Sequence, residues 1–284
     1  MDYKKFLLLF KEKFLKFWRS ENSKISLIRD VFVSLVLVLI ILMSLWAYTG
    51  QWLGTPIVAI ESGSMEHLDP PFGRIGTIDA GDMVLLVRVD GRKDILTNAI
   101  KSSENCQYGD YGDVIIYIPY GKQEFEDPII HRSMCWVDYN EEYNTYSVEG
   151  YSDNQNVTRI NIPELGLENW EHPNKNPYGD PVDPHSGFIT KGDNKITNDK
   201  CDQVGGICTE LIRPEWISGK ARGELPWIGT LNLVFNDLTN QKSTVGNVHS
   251  DSLTCLIILI TILISIPILM DLFSYLKEKK KKNL

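Results

Sequence analysis

Charge is absent from two long stretches of this sequence. No Asp, Glu, Lys or Arg occurs from Val31 to Ile60, or from Ser252 to Met270. Each stretch is close to the ~20 apolar residues a helix needs to cross the hydrocarbon core of a bilayer. Two spans are therefore expected, at 31–49 and 251–271. Pro267 is compatible with the second, because transmembrane helices accept proline more readily than soluble ones. A removable leader would have a shorter apolar core nearer the start and an A-x-A-like exit, and the sequence offers neither. A buried core helix is a poor account of the second stretch, which runs on into "KEKKKK".

Other absences narrow the chemistry. Five cysteines include no C-x-x-C pair, which argues against a zinc site. Cys255 falls in the second apolar stretch, where it serves as a small apolar residue. Cys106, Cys135, Cys201 and Cys208 lie between the stretches, and an oxidising compartment would permit disulfides there. Cys201 with Cys208 would close a short loop. No glycine-rich phosphate loop is present, and no cofactor is implied. Between the stretches there is no internal repeat, no low-complexity tract and no strongly amphipathic helical pattern.

The flanking charge sets an expected topology. Residues 1–30 carry eight Lys or Arg, and the tail after Leu276 carries five Lys. Short basic flanks stay on the cytoplasmic side, so both segments, 1–30 and 272–284, should be inside and 50–250 outside. The segment "YKKFLLLFKEKFLKFWRS" is basic and amphipathic at helical spacing, as expected of a helix lying on the inner membrane surface. Without its basic flanks the external segment is strongly acidic, which argues against nucleic acid as a partner. The sequon Asn156-Val157-Thr158 suits an outward-facing loop.

The external segment reads as mainly β. "DMVLLVRV" from Asp82, "DVIIYIPY" from Asp113, "PIIHRSMCWV" from Pro128, "YSVEGY" from Tyr146 and "GFIT" from Gly187 are short, rich in β-branched and aromatic residues, and bounded by turn formers. Residues 91–110 and 138–186 read as insertions. The longer one is rich in Pro, Asn, Asp and Glu. A structureless loop of that length is unusual, so it should carry a small hairpin and cover one side of the main sheet.

"ESGSMEHLDP", from Glu61 to Pro70, places two hydroxyls around one glycine just beyond the first apolar stretch. Ser62 or Ser64 could serve as a nucleophile given a base and oxyanion donors. The Ser-Gly-Ser tripeptide alone is usually a plain turn, and Glu66 stands where a G-x-S-x-G elbow would need glycine. Of five histidines, His172, His185 and His249 fall in Pro- or Asn-containing loops. His131 follows a strand-like run. Asp193 and Asp199 in "GFITKGDNKITND" flank a turn, and a carboxylate aimed at an imidazole would hold its tautomer.

In that order, "SGSME", "YGDVIIY", "IIHR", "FITKGDN" and "GKARGELPWIGTL" resemble type I signal peptidase, and within it the archaeal and endoplasmic-reticulum branch, where histidine replaces the bacterial lysine base. The resemblance covers about residues 55–232 outside the two insertions. It implies a β-rich catalytic domain held against the membrane. Ser64 would be the nucleophile, with Ser62 and the Ser64 N–H holding the oxyanion. His131 would be the general base, Asp199 its acidic partner and Asp193 a second important carboxylate. Which aspartate touches His131 stays open at this point. The implied activity is removal of signal peptides from secretory preproteins after small residues at −1 and −3, at the cell or endoplasmic-reticulum membrane, in possible association with the export machinery.

An imidazole suits this role because it is largely neutral at pH 7 without the deep desolvation a lysine base requires. "HLD" intervenes before Pro70, where the family has proline soon after "SGSME", and this brings in His67 as an alternative base. The second span occurs in only part of the family. Two other readings are a non-catalytic two-span subunit that binds signal sequences, and a self-cleaving relative. The joint presence of Ser64, His131 and both aspartates argues against the first, and the lack of a cleavage-competent linker against the second.

Overall fold

The computed structural model describes residues 11–12, 15–20, 22–52, 54–101, 106–124, 126–239 and 244–282. Most of the amphipathic segment expected near the start, and part of the 91–110 insertion, lie outside the described residues. The chain divides into two units, Met1–Trp52 and Leu53–Leu284.

The first unit is dominated by α1 (Ser23–Thr49). Asn22 caps it by accepting from Lys24 N–H at 3.0 Å. Gly50, in the left-handed region (φ 69°), ends it by donating to Trp46 O. The helix is long and apolar enough to cross a membrane.

The second unit is built on one antiparallel sheet. Its strands are β1 (Ile57–Ala59), β2 (Met83–Val87), β5 (Val114–Tyr117), β6 (Ile129–Asn140), β7 (Thr145–Val148), β10 (Gly187–Lys191) and β11 (Ile217–Leu225). They run in the order β1-β2-β11-β5-β6-β10, with β7 also paired to β6. Two hairpins stand apart: β3 (Cys106–Gln107) with β4 (Asp110–Tyr111), and β8 (Ile160–Ile162) with β9 (Leu167–Trp170). Three helices complete the unit: α2 (Asp202–Gly205), α3 (Gly229–Leu238) and α4 (Ser250–Lys282). The last is again long and apolar enough to cross a membrane, and it continues through Pro267.

Among the described residues helix outweighs strand, 38% to 22%, because α1 and α4 are so long. The mainly β description therefore holds for the body alone. All five expected strands form. β1, β3, β4, β11 and α3 have no counterpart among the expected elements. β11, "ISGKARGEL", is too polar and glycine-bearing to read as a strand, and it forms because β2 and β5 pair with both its edges. α3 is only ten residues long, too short for its period to stand out.

The 138–186 stretch carries the expected hairpin. Ile160, Ile162, Leu167 and Trp170 of β8 and β9 pack with Val137, Val148, Cys135 and Ile189 of the main sheet. The stretch thus completes a core cluster. Leu167 is fully buried in it, so Leu167→Ala should destabilise the protein by about 2–5 kcal/mol, read from the denaturant midpoint of the full chain in detergent. A change under about 0.5 kcal/mol would mean that the hairpin is peripheral to the core.

Candidate active site

The serine turn is anchored at both ends. Ile60 and Met65 are buried in one cluster with Ile78, Val84 and Ile130. Ile60 also exchanges backbone hydrogen bonds with Gly81 and Asp82. Between these anchors the chain makes a tight turn, with Glu66 N–H donating to Gly63 O at 3.2 Å. The Ser62 and Ser64 hydroxyl oxygens stand 3.4 Å apart. The segment after β10 lies against this turn. Asn194 N–H and Asn198 Nδ2 donate to Ser64 O at 3.0 and 3.1 Å. Gly192 is required at this contact, since a Cβ there would come within 2.5 Å of Ser64 O.

His131 sits on β6 opposite Ile115 of β5, and only 2% of it is exposed. Its Nδ1 lies 2.8 Å from both carboxylate oxygens of Asp202. Asp202 is also buried and accepts from Tyr117 Oη and Thr190 Oγ1, each at 2.6 Å. Residues from β5, β6 and β10 thus converge on one carboxylate at the first residue of α2. Burial, reinforced by the Asp202 charge, pushes the Tyr117 phenol well above its ordinary range, so it stays a donor. A carboxylate only accepts, so the Asp202 contact assigns a proton to His131 Nδ1, and in the neutral tautomer the lone pair is on Nε2.

The two aspartates singled out in the sequence lie elsewhere. Asp199 is exposed, and its backbone carbonyl accepts from Lys191 Nζ at 2.8 Å. Asp193 faces the other side of β6. There it accepts two hydrogen bonds from the fully buried Arg132, one of them at 2.8 Å from Nε. The carboxylate on His131 is therefore Asp202, in place of Asp199. The local sequence held a hint of this. Asp202 follows Cys201 and precedes Val204 in "CDQV", whereas Asp199 lies between Asn198 and Lys200.

His67 belongs to the Arg132 side as well. Its Nε2 is 3.4 Å from Asp193 Oδ2, and the pull of that carboxylate outweighs burial and raises its pKa. On Asp193, burial works to raise the pKa, but the hydrogen bonds from Arg132 and the close approach of His67 prevail and hold the carboxyl below its usual range. His67 is among the lining of neither cavity at the serine turn.

A cavity of about 590 Å³ joins the serines to His131. Ser62, Ser64, His131 and Asn198 share it with Ile57 and Ala59 of β1, and with Pro128, Ile129 and Ile130. A smaller cavity, about 360 Å³, opens beside the same turn and includes Glu66 and His249. His249 Nε2 lies 3.0 Å from Glu66 Oε2, and Asn247 donates to Glu61 O at 2.7 Å. The root of α4 is therefore tied to the serine turn. Among the described residues no group of three His, Cys, Asp or Glu is gathered as metal ligands.

The Cys201–Cys208 disulfide is not formed. All five cysteines are free, and burial pushes the Cys201 and Cys208 thiols up to about 12.

With Asp202 on Nδ1 and the serines lining the same cavity, the arrangement can support acyl transfer: an oriented imidazole, a hydroxyl facing the shared space and an apolar recess for an acyl group. No protein-family model matches the sequence, and no curated protein is significantly similar to it.

The Asp193 contacts predict a linked titration. His67, raised in the folded state, contributes stability below its unfolded pKa and loses it as pH climbs through the folded value. Asp193, lowered, contributes above its unfolded pKa and loses it as pH falls through the folded value. Asp193→Asn should bring the His67 pKa down, read by NMR of its ring protons. It should also destabilise the fold by about 3–5 kcal/mol, because Arg132 stays buried without its carboxylate. An unmoved His67 titration would refute this coupling.

Proposed function

We propose that the protein is a membrane-anchored serine endopeptidase that removes signal peptides from exported preproteins, with Ser64 as nucleophile, His131 as base and Asp202 as its orienting carboxylate. The observation that carries this reading is the buried His131–Asp202 pair opening onto the same cavity as Ser62 and Ser64.

In acylation Ser64 Oγ bonds to the carbonyl carbon of residue −1, and the carbonyl π pair moves onto its oxygen. His131 Nε2 takes the hydroxyl proton, and Asp202 stabilises the imidazolium across Nδ1. The oxyanion is met by the Ser64 N–H and the Ser62 hydroxyl. Collapse breaks the peptide C–N bond as His131 passes its proton to the leaving amine. Water, deprotonated by His131, then attacks the acyl carbon, and Ser64 leaves with a proton.

The substrate class rests on three features. β1 ends the sheet and has no second strand partner among the described residues, which suits an extended peptide binding there by strand addition. The cavity walls beside it are aliphatic, as suits small side chains at −1 and −3. The serine turn is tied to the root of α4, so if α4 spans the bilayer the nucleophile works close to the membrane surface, where a tethered preprotein emerges. Both termini lie on the cytoplasmic face in this reading, in accord with the basic flanks.

Cleavage of a preprotein in liposomes tests the assignment. Wild type should release a mature-length product. Ser64→Ala and His131→Ala should abolish it, and Asp202→Asn should lower kcat by about 10⁴-fold through the wrong tautomer. Asp199→Asn should stay within about threefold of wild type. An inactive Asp199→Asn beside an active Asp202→Asn would overturn the role of Asp202. Binding of the preprotein without cleavage by wild type would favour a non-catalytic signal-sequence-binding subunit.

A further inference from the structure

We infer that Asn194 is a positioning residue that aims the oxyanion-binding N–H of Ser64, acting through the carbonyl of Gly63; this rests on the acyl-transfer reading of the site. Gly63 O and Ser64 N–H belong to one peptide unit. In a planar trans peptide the two point in opposite directions, so a group that fixes the carbonyl also fixes the N–H. Asn194 Nδ2 donates to Gly63 O at 2.7 Å.

The Asn194 amide cannot be turned the other way. Its Oδ1 accepts from Ile196 N–H at 3.0 Å and Thr197 N–H at 3.4 Å, which leaves Nδ2 as the end facing Gly63. The next peptide unit is held as well, because Ser64 O accepts from Asn194 N–H and Asn198 Nδ2. One residue thus grips both peptide units that flank the Ser64 Cα. The backbone torsions on either side of the Ser64 Cα, and with them the direction of its N–H, are held from outside the serine turn by Asn194 at 2.7 Å, in addition to the longer 3.2 Å bond from Glu66 N–H within it. Among the described residues no protein acceptor takes the Ser64 N–H, which leaves it for a ligand oxygen.

The chemical consequence concerns the transition state more than the ground state. A substrate carbonyl tolerates a misdirected donor, whereas a full oxyanion does not, and complete loss of one such donor costs about 10²–10³-fold in kcat. Loss of the Asn194 grip lets the peptide unit rock and forfeits part of that.

Asn194→Asp is the informative variant. It keeps an acceptor for Ile196 and Thr197, and hence the turn, but sets an oxygen against Gly63 O. Two readouts are taken on the full chain in detergent: preprotein cleavage, and the inhibition or binding constant of a peptidyl-alaninal. In the second, Ser64 Oγ bonds to the aldehyde carbon, the π pair moves to oxygen, and the serine proton passes to His131.

The expected result is a fall in kcat of about 30–100-fold with KM changed less than about threefold, and a matching loss of aldehyde affinity. Peptide binding by Asn194→Asp in a Ser64→Ala background should be unchanged. Asn194→Ala should show the same split if Asn194→Asp fails to fold. A kcat near wild type, or a loss lying wholly in KM and thermal stability, overturns the inference. If wild type forms the hemiacetal but cuts no preprotein, the peptidase reading fails while the aldehyde series still decides the role of Asn194. If folded wild type forms none, both fall.

Discussion

Two consecutive residues of β6 set the terms for the whole site: His131 and Arg132, both almost without solvent contact. Neighbouring strand residues point to opposite faces of the sheet. Each face must therefore supply a partner, because a buried charged or hydrogen-bonding group without one is strongly unfavourable. Asp202 answers His131 on one side, and Asp193 answers Arg132 on the other. Arg132 further donates to the carbonyls of Gln107 and Gly112, which ties the β3–β4 hairpin to the same strand. Both carboxylates come from the segment that leaves β10. That segment has little freedom left once β6 is in place.

With its two aspartates engaged, the same segment passes over the serine turn, and Gly192, Asn194 and Asn198 meet Gly63 and Ser64 there. The parts of the candidate centre are thus coupled mechanically. The strand that carries the imidazole orders the loop that orders the serine. The pairing on the Arg132 face reaches Ser64 through about one turn of chain and without touching any reacting atom. It also accounts for His67, whose place beside Asp193 gives it a structural partner.

A second set of contacts ties the apolar helix α4 to the body. Asp251 accepts from Gly73 N–H and pairs with Arg74, which in turn pairs with the buried Asp79. Cys255 of α4 approaches Gly73 so closely that a Cβ there would lie 2.9 Å from its sulfur. Together with Asn247 and His249, these contacts fix the helix root against the serine turn. The height of the site above the end of α4 is a property of the fold.

Much of this was legible in the residue order. The two uncharged stretches dictate long apolar helices because their composition admits little else, and the β-branched runs at Asp82, Asp113, Pro128, Tyr146 and Gly187 dictate strands. Ser62, Ser64 and His131 could be singled out from local chemistry and from the ordered motifs around them. The partner of His131 could not. Asp193, Asp199 and Asp202 are equally ionisable and lie within one short segment. Only the fold of that segment decides that Asp199 faces water, Asp193 meets Arg132 and Asp202 meets His131. β11 is also a tertiary product, made stable by pairing with β2 and β5 that its own sequence does not announce. Sequence alone determined which side chains were available and which elements local propensity favours. Tertiary structure decided which carboxylate meets the imidazole and which the guanidinium, because that depends on strand faces and loop closure over distances no local pattern encodes.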